Sequence, residues 1–457
     1  MQRTLWRNKR IVMLLIVGLA VLIPQAGVMA WSEHPLVTYP VMAAIPEVSA
    51  SESVTVESIE TFLSAEPKRL EQLLLEEEAW AQKNLQWYPL LPASLAFKAD
   101  GSPDTLRERF CHAIRVNPRV KFPCYLQMLP GGYAGERPPL RPSEISFLTD
   151  TDDWGETTFV SLYPEGGARP LEIVVSATDE PDLLGLDIGL FEDNRTEFGK
   201  IYGFGKQPFG NPNLEYGSQA PFHMGFYHES GIMYFFAGFL KKALPEYRIH
   251  LYKRLAQFAF ETGHPYWGWR FTGLGLHYLA DLAQPYHATA LPGVGTARAL
   301  EISIVDMIGI HGPKNNAVQL VSNRHTALEK FVQVVLQRAY KKGELNQPIL
   351  AALGSAKDGE PYTDRVPRDV VSKLAHDKAG ETDRVLEETM PRKFVSDPTF
   401  ELGTSVERRQ IVEMMAAERG PQATERLTLL VRDLLIPFAV QGRGYVHAVL
   451  SNDKGQQ

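Results

Sequence analysis

The sequence predicts a mainly α protein with a large irregular insertion. Apolar residues recur at helical spacing through long stretches of the second half of the chain. Strand-like alternation is scarce outside residues 51–170, and the composition, 44% hydrophobic and 22% charged, is that of a globular protein. Because 457 residues exceed what one core usually organises, we expect a helical main domain with sizeable additions.

The first thirty residues have the pattern of a secretory signal. Basic residues precede the apolar run IVMLLIVGLAVLI, and Val28 and Ala30 occupy the small-residue positions of a cleavage site before Trp31. We therefore expect residues 1–30 to be removed and the protein to be secreted or periplasmic. The alternative is an uncleaved membrane anchor, although the apolar run is short of the roughly 20 residues that a spanning helix prefers.

The charge of the processed chain limits its partners. Removing residues 1–30 takes away four basic and no acidic residues, so the formal charge changes from −7 to −11. An acidic chain is a poor candidate for constitutive binding of duplex nucleic acid, which requires a basic face. It can still act on phosphates if bound cations supply positive charge.

Residues 51–170 form the predicted insertion. The segment TFLSAEPKRLEQLLLEEEAWAQKNL has helical periodicity, and from about residue 86 prolines, glycines and isolated aromatic residues dominate. The chain has two cysteines, Cys111 and Cys124, both in this insertion. In an oxidising compartment they predict a disulfide that closes a short loop, and the alternative is two free buried thiols.

The remaining sequence is predicted to be helical. Residues 31–50 and 171–345 are assigned to a helical core that includes MYFFAGFLKKAL, RIHLYKRLAQFAF, FTGLGLHYLADLA and a helix beginning near His325. Residues 346–457 are assigned to a C-terminal helical part that packs on this core. They contain a polar stretch followed by two helices, VERRQIVEMMAAERG and TERLTLLVRDLLIPFAVQGRGYVHAVL.

The stretch HYLADLAQPYHA carries the first candidate ligands. His277 and Asp281 are four positions apart and therefore share one helix face. Pro285 should end the helix near Ala283 and leave His287 on the exit loop. This arrangement suits two neighbouring metal ions with Asp281 between them. The alternative interpretation is that the histidines only cap or pack.

Further candidate ligands lie on both sides of this stretch. His325 and Glu329 in HTALE repeat the spacing of four. His223 lies upstream in SQAPFHMGFYHES, and Trp31 and His34 would stand at the start of the processed chain. A set of this size favours a metal centre over isolated structural histidines.

These motifs resemble those of a known family. GLGLHYLADLAQPYHA, HTALEKFV, APFHMG and the position of Trp31 are similar to segments of the zinc-dependent bacterial phospholipase C enzymes and the related single-strand-specific nucleases. Members share an all-α fold with three clustered zinc ions, so the resemblance implies that fold, three zinc ions per chain and hydrolysis of a phosphodiester bond. It covers Trp31 to His34 and Asp182 to about Tyr340, with unusually long loops before His223 and after His287.

The resemblance also implies how the ligands are shared. His223, His277, Asp281 and an upstream aspartate would hold one zinc ion. A second ion, with an open position for water, would be held by His287, His325 and Glu329, and a third by Trp31 and His34 with Asp281 bridging. Asp182 and Asp187 are both candidates for the upstream aspartate, and Asp182 is preferred because a proline precedes it. In relatives this residue contacts the attacking water, so Asp182 is also the expected general base.

The expected activity is that of an exported zinc-dependent phosphodiesterase of phospholipase C type. Its expected partners are a phospholipid headgroup, with transient contact to a membrane surface, or single-stranded nucleic acid if the protein is instead an endonuclease. A rival from another class is a non-catalytic zinc-stabilised protein that binds an envelope partner through its insertion. One loop contains four aromatic residues, Tyr202, Phe204, Phe209 and Tyr216. They could stack on a base near the cleft, but we prefer the interpretation that they pack beneath the loop.

Overall fold

The computed structural model describes residues 33–149, 151, 154–207 and 219–451. Helices account for 62% of the described residues and strands for 3%, so the predicted mainly α class is confirmed. The predicted signal segment and the predicted ligand Trp31 lie outside the described residues. Among the described helices, none combines the length and the apolar character needed to cross a bilayer.

The first half of the chain contains short helices between irregular segments. Their bounds are α1 Pro35–Ala43, α2 Pro46–Ser49, α3 Ile59–Ala65, α4 Pro67–Asn84, α5 Leu106–Ala113, α6 Pro142–Ile145, α7 Pro170–Ala177, α8 Glu180–Leu183, α9 Glu197–Ile201 and α10 Ala220–His223. Single 3₁₀ turns cover Ala93–Leu95, Pro103–Thr105 and Glu192–Asn194.

Longer helices follow in the second half. Their bounds are α11 Gly231–Phe236, α12 Pro245–Glu261, α13 Pro265–Asp281, α14 Pro285–Ala288, α15 Thr296–Met307, α16 Gly312–Lys342, α17 Pro348–Gly354, α18 Lys373–Thr389, α19 Arg392–Ser396, α20 Ile411–Arg419 and α21 Pro421–Leu450. Gly238–Lys241 and Val406–Gln410 are 3₁₀ turns, and Pro367–Ser372 is a π-helical turn that leads into α18.

The strands of the described structure all lie in the predicted insertion. They are β1 Val54–Thr55, β2 Tyr125–Met128, β3 Pro139–Leu140, β4 Thr158–Ser161 and β5 Gly167–Ala168. β1 pairs antiparallel with β5, and β4 lies between β2 and β3 with antiparallel pairing on both sides. The insertion is therefore organised by a small sheet that packs through β2 against α7.

Helix α13 is the centre of the fold. Every residue from Tyr266 to Asp281 is buried, as expected for a helix that is apolar around most of its circumference. It packs against α12 before it, against α7 from the N-terminal side and against α21 from the C-terminal part. Two of the predicted ligands are thereby carried by a long helix that is enclosed along almost its whole length.

Gly275 makes the contact between α13 and α21 possible. A Cβ at this position would overlap the hydroxyl and ring of Tyr445, which is fully buried on α21. We expect Gly275→Ala to lower the free energy of unfolding by about 1–3 kcal/mol through overpacking. The matched control is Gly380→Ala, at an exposed helical glycine with no atom near its added Cβ, which should raise stability by about 0.4–1 kcal/mol. Chemical denaturation compares the two, and equal effects would contradict the close packing.

Several helix boundaries differ from those predicted. The helix predicted to begin near His325 begins at Gly312, because residues 313–324 continue its apolar face. The predicted helix MYFFAGFLKKAL stops at Phe236 and continues only as a 3₁₀ turn. Several helices were not predicted, α15 and α18 among them. The sequence of α18 is rich in charged residues, and the helix is organised mainly by its packing on other helices.

The predicted disulfide is wrong, because Cys111 and Cys124 are free thiols in the structure. Cys111 lies on α5 inside the hydrophobic core, whereas the Cys124 thiol lies 3.6 Å from the carbonyl oxygen of Glu57. Each side chain is thus engaged by a different part of the structure.

The two thiols should be present but poorly reactive. Burial raises the pKa of the Cys111 thiol to about 12 and also raises the pKa of Cys124, so little thiolate forms at neutral pH. We expect a thiol-reactive dye to modify the native protein slowly and to find two thiols per chain after denaturation without reductant. A denatured, unreduced protein with no reactive thiol would contradict this assignment.

Candidate metal centre

Five buried side chains from four elements form the first candidate ligand group. Each is at most 2% exposed, and the group consists of His34, Asp182, His223, His277 and Asp281. His34 precedes α1, Asp182 lies on α8, His223 ends α10, and the other two lie on α13. A proline at the first or second position favours the start of each of these helices. The proline φ angle is already helical, and an N–H at the start of a helix would have no acceptor within the helix, so its absence costs nothing.

Asp281 is the shared member of this group. Its Oδ1 lies 3.0 Å from His34 Nε2, and its Oδ2 lies 2.8 Å from His223 Nδ1 and 3.4 Å from His277 Nε2. The carboxylate therefore has one oxygen directed to each side, which is the geometry required of a bridging ligand.

The second candidate ligand group combines His287, His325 and Glu329. His325 Nε2 lies 2.7 Å and His287 Nε2 lies 3.9 Å from the same oxygen, Oε1 of Glu329. Gln284 Nε2 approaches that oxygen from α14's N-terminal side at 3.4 Å. All three candidate ligands are at most 4% exposed, so the second group is as enclosed as the first.

Backbone carbonyls orient two of the histidines. His277 Nδ1 lies 2.7 Å from the carbonyl oxygen of Thr178, and His287 Nδ1 lies 3.1 Å from that of His223. Because a carbonyl only accepts, each Nδ1 carries the proton and each Nε2 directs a lone pair into its group. The hydrogen bond from His287 Nδ1 to the backbone carbonyl oxygen of His223 also connects the second group to the first.

The structure separates the two candidate upstream aspartates. Asp182 Oδ1 lies 3.9 Å from His223 Nδ1, the nitrogen that faces the first group. Asp187 instead lies behind His223, with Oδ2 at 3.0 Å from Nε2, and it accepts from the Tyr278 hydroxyl at 2.7 Å and from the buried Arg248 guanidinium. Asp182 therefore faces the first group as a candidate ligand, whereas Asp187 is positioned to orient His223.

Sequence reasoning missed Asp179 and Gln127. Asp179 Oδ1 accepts the backbone N–H of His34 at 2.8 Å and lies 3.6 Å from its Nδ1. Gln127, on strand β2 of the insertion, donates its side-chain N–H to Asp179 Oδ2 at 2.6 Å. The segment ATDEPD contains both Asp179 and Asp182, but only tertiary packing brings Asp179 to His34. The insertion thus supports the first group directly.

The buried histidines differ in protonation. Burial holds the pKa of His277 well below its ordinary value and lowers the pKa of His287 to about 3, so both rings are neutral at physiological pH. Burial also lowers the pKa of His223, but its hydrogen bonds to Asp187 and Asp281 more than offset this and raise the pKa to about 10. Burial raises the pKa of Asp182, which reflects the cost of enclosing a carboxylate without a cation.

Several candidate ligands have buried atoms that lack a hydrogen-bond partner. Asp182 Oδ1 and His287 Nε2 are among the enclosed atoms that make no hydrogen bond with any described residue. Buried polar atoms are rarely left without a partner, because the loss of water is then uncompensated. Imidazole nitrogens with carboxylate oxygens are donors that suit zinc, so the residues present fit a metal centre.

A cavity of about 190 Å³ lies beside the first group. Glu33 and Pro35, the neighbours of His34, line it together with Gln127, Thr157 and Lys341. Glu33 has a left-handed backbone (φ 67°), and burial raises the pKa of its carboxyl to about 7. The cavity therefore adjoins the residues on both sides of His34, which is itself fully buried.

In the described structure, eight of the nine predicted ligands lie in groupings of at least three residues. Trp31, the ninth, lies outside the described residues. Tyr202 and Phe204 pack beneath their loop, with the Tyr202 hydroxyl donating to the carbonyl oxygen of Val116, and this matches the preferred expectation. Phe209 and Tyr216 also lie outside the described residues.

Comparison with known proteins gives no match: no family model, no curated protein and no solved structure is similar to this chain. The resemblance to zinc-dependent phospholipases and nucleases therefore stands on the sequence motifs that suggested it. The geometry of the two ligand groups is an independent basis for a function.

Proposed function

We propose that this protein is an exported zinc-dependent hydrolase of phosphodiester bonds. The observation that supports the proposal most strongly is the pair of enclosed histidine–carboxylate groups, linked to each other through His223 and His287. Three groupings of candidate ligands, with donor atoms within 4.8 Å of one another, include all eight of the described side chains that the family resemblance implies. A purely structural role would not require so many imidazoles and carboxylates in one dry region.

The candidate ligands define what the chain itself contributes. Zinc, when bound, supplies Lewis acidity that polarises phosphoryl oxygens and makes water a stronger acid. Asp281 holds the histidines of the first group in register, and the backbone carbonyls fix the tautomers of His277 and His287. We assign Asp182 as the general base that would accept a proton from an incoming water, because its Oδ1 makes no hydrogen bond with any described residue.

We favour a phospholipid headgroup over a nucleic acid as the substrate. The spacing of His325 and Glu329 resembles the phospholipase C pattern, and the packed side chains of Tyr202 and Phe204 offer no slot for an unstacked base. The acidic composition also agrees with a substrate bound through metal ions rather than through a basic surface.

The first experiment is elemental analysis of protein purified from the periplasm, with its N-terminus sequenced. We expect Trp31 as the first residue and close to three zinc ions per chain, as the family resemblance implies. One or no zinc ion would refute the proposed centre, and retention of residues 1–30 would refute the processed start of the chain.

The activity test uses three substrates: bis(p-nitrophenyl) phosphate, phosphatidylcholine vesicles and single-stranded DNA. We expect hydrolysis of the first two, with release of phosphocholine, and loss of activity after removal of zinc by a chelator. Cleavage of single-stranded DNA without phosphocholine release would replace the phospholipase with an endonuclease. Zinc binding without hydrolysis of any substrate would overturn the enzyme proposal in favour of a zinc-stabilised binding protein.

A further inference from the structure

A buried ionic network lies behind the second ligand group, on a helix that contributes no candidate ligand. Asp383, on α18, is 4% exposed. Its Oδ1 accepts the hydroxyl of Tyr286 at 2.9 Å, and its Oδ2 accepts the guanidinium of Arg324. The charge of this carboxylate is thus paired, and both of its oxygens are engaged.

Both partners of Asp383 are sequence neighbours of candidate ligands. Tyr286 immediately precedes His287 on α14, and Arg324 immediately precedes His325 on α16. The Tyr286 ring also stacks on the His325 ring, with 5.5 Å between centroids and 9° between planes. One carboxylate therefore ties together the two elements that carry the histidines of the second group.

The same carboxylate determines the path of the loop after α14. Gly293 has a left-handed backbone (φ 77°), and a Cβ there would overlap Asp383 Oδ2. Arg324 is itself held by the carbonyl oxygen of Val395, to which its Nε donates at 2.9 Å. Asp383 thus sits at a rigid junction of the loop, α16 and the C-terminal part.

We propose that Asp383 is a positioning residue for the second ligand group. It fixes the separation and mutual orientation of His287 and His325, whose ring centroids lie 5.0 Å apart with planes at 83°. This inference rests on the proposed function in that it takes the second group to bind a metal ion. It assigns to the C-terminal part a role in ion binding beyond packing on the core.

The test compares Asp383→Asn and Tyr286→Phe with a control on the same helix. Thr382→Val is the control, because Thr382 is fully buried and its hydroxyl donates only to the carbonyl oxygen of Lys378. Zinc affinities are measured by competition with a chromophoric chelator, and the zinc ion lost in His287→Ala identifies the second group. We expect Asp383→Asn to weaken that ion roughly 10- to 100-fold and to leave the other ions unchanged. Tyr286→Phe should shift affinity in the same direction, whereas Thr382→Val should not change it.

Two further readouts separate positioning from general stability. Cobalt substitution should give an altered visible absorption spectrum in Asp383→Asn, because the absorption reports ligand geometry, and Asp383→Glu should restore it in part. In metal-free protein, hydrogen exchange of the α14 amides should be faster in Asp383→Asn than in Thr382→Val. Unchanged zinc affinity together with unchanged exchange would overturn the inference. If the wild-type protein binds no zinc but exchange is still faster in Asp383→Asn, the role of Asp383 in holding α14 is upheld. Only the proposed function is then refuted.

Discussion

Asp281→Asn should abolish the activity with little change in the shape of the protein. The substitution keeps the size of the side chain but replaces one oxygen of the shared carboxylate by an NH2 group, which donates hydrogen bonds and cannot bind a cation. Because the oxygens of Asp281 face His34 on one side and His223 and His277 on the other, we expect loss of at least one zinc ion. Phosphodiesterase activity should fall on the order of 10³-fold, since several kcal/mol of charge stabilisation disappear.

Asp306→Asn is the matched control for this variant. Asp306 on α15 is also a buried aspartate bonded to a histidine, with Oδ1 at 2.6 Å from His311 Nδ1, but it belongs to neither ligand group. It should keep the zinc content and activity of the wild type. Asp281→Asn with full zinc content and full activity would contradict the bridging role, and thermal unfolding would show whether each variant is folded.

Arg248→Met should produce the largest loss of stability. The Arg248 guanidinium is fully buried and donates to Asp187 and to the carbonyl oxygens of Ile114 and Arg115 at 2.6 Å each. Although burial alone would raise the pKa of Asp187, this guanidinium holds the pKa below its ordinary value. Removing it leaves the buried Asp187 carboxylate without its guanidinium partner and two carbonyl oxygens without a donor, so we expect the free energy of unfolding to fall by about 3–5 kcal/mol.

The comparison for this variant is Arg254→Met on the same helix. Arg254 pairs with Glu76 at 3.3 Å, and both side chains are more than one third exposed, so solvent screens their attraction. Its loss should cost at most about 1 kcal/mol. Urea denaturation measures both variants. Equal losses would show that the buried network contributes no more than a surface pair.

Local spacing was sufficient to predict some of the candidate ligands. Both pairs with a spacing of four, beginning at His277 and His325, lie on single helices as predicted, and the helix before His287 ends within two residues of the predicted point. The pattern succeeded because a helix fixes the relative positions of residues i and i+4 regardless of the rest of the fold.

Residues that act through tertiary contacts could not be predicted in this way. Asp179 meets His34 across 145 positions, and Asp383 meets Tyr286 across 97. No periodicity relates such residues, and α18 itself was not predicted because its charged sequence resembles a solvated segment. Asp182 could be preferred to Asp187 only through the family resemblance.

The bond between His34 and Asp281 has a kinetic consequence, because it closes a loop of 247 positions. Contacts of such sequence separation form late, since the entropy of closing the loop must be lost before the contact contributes. A chain that is still being made can assemble the first ligand group only after α13 has been added, and the second only after α16. The proposed metal centre can therefore be completed only when distant parts of the chain, from His34 to Glu329, have come together.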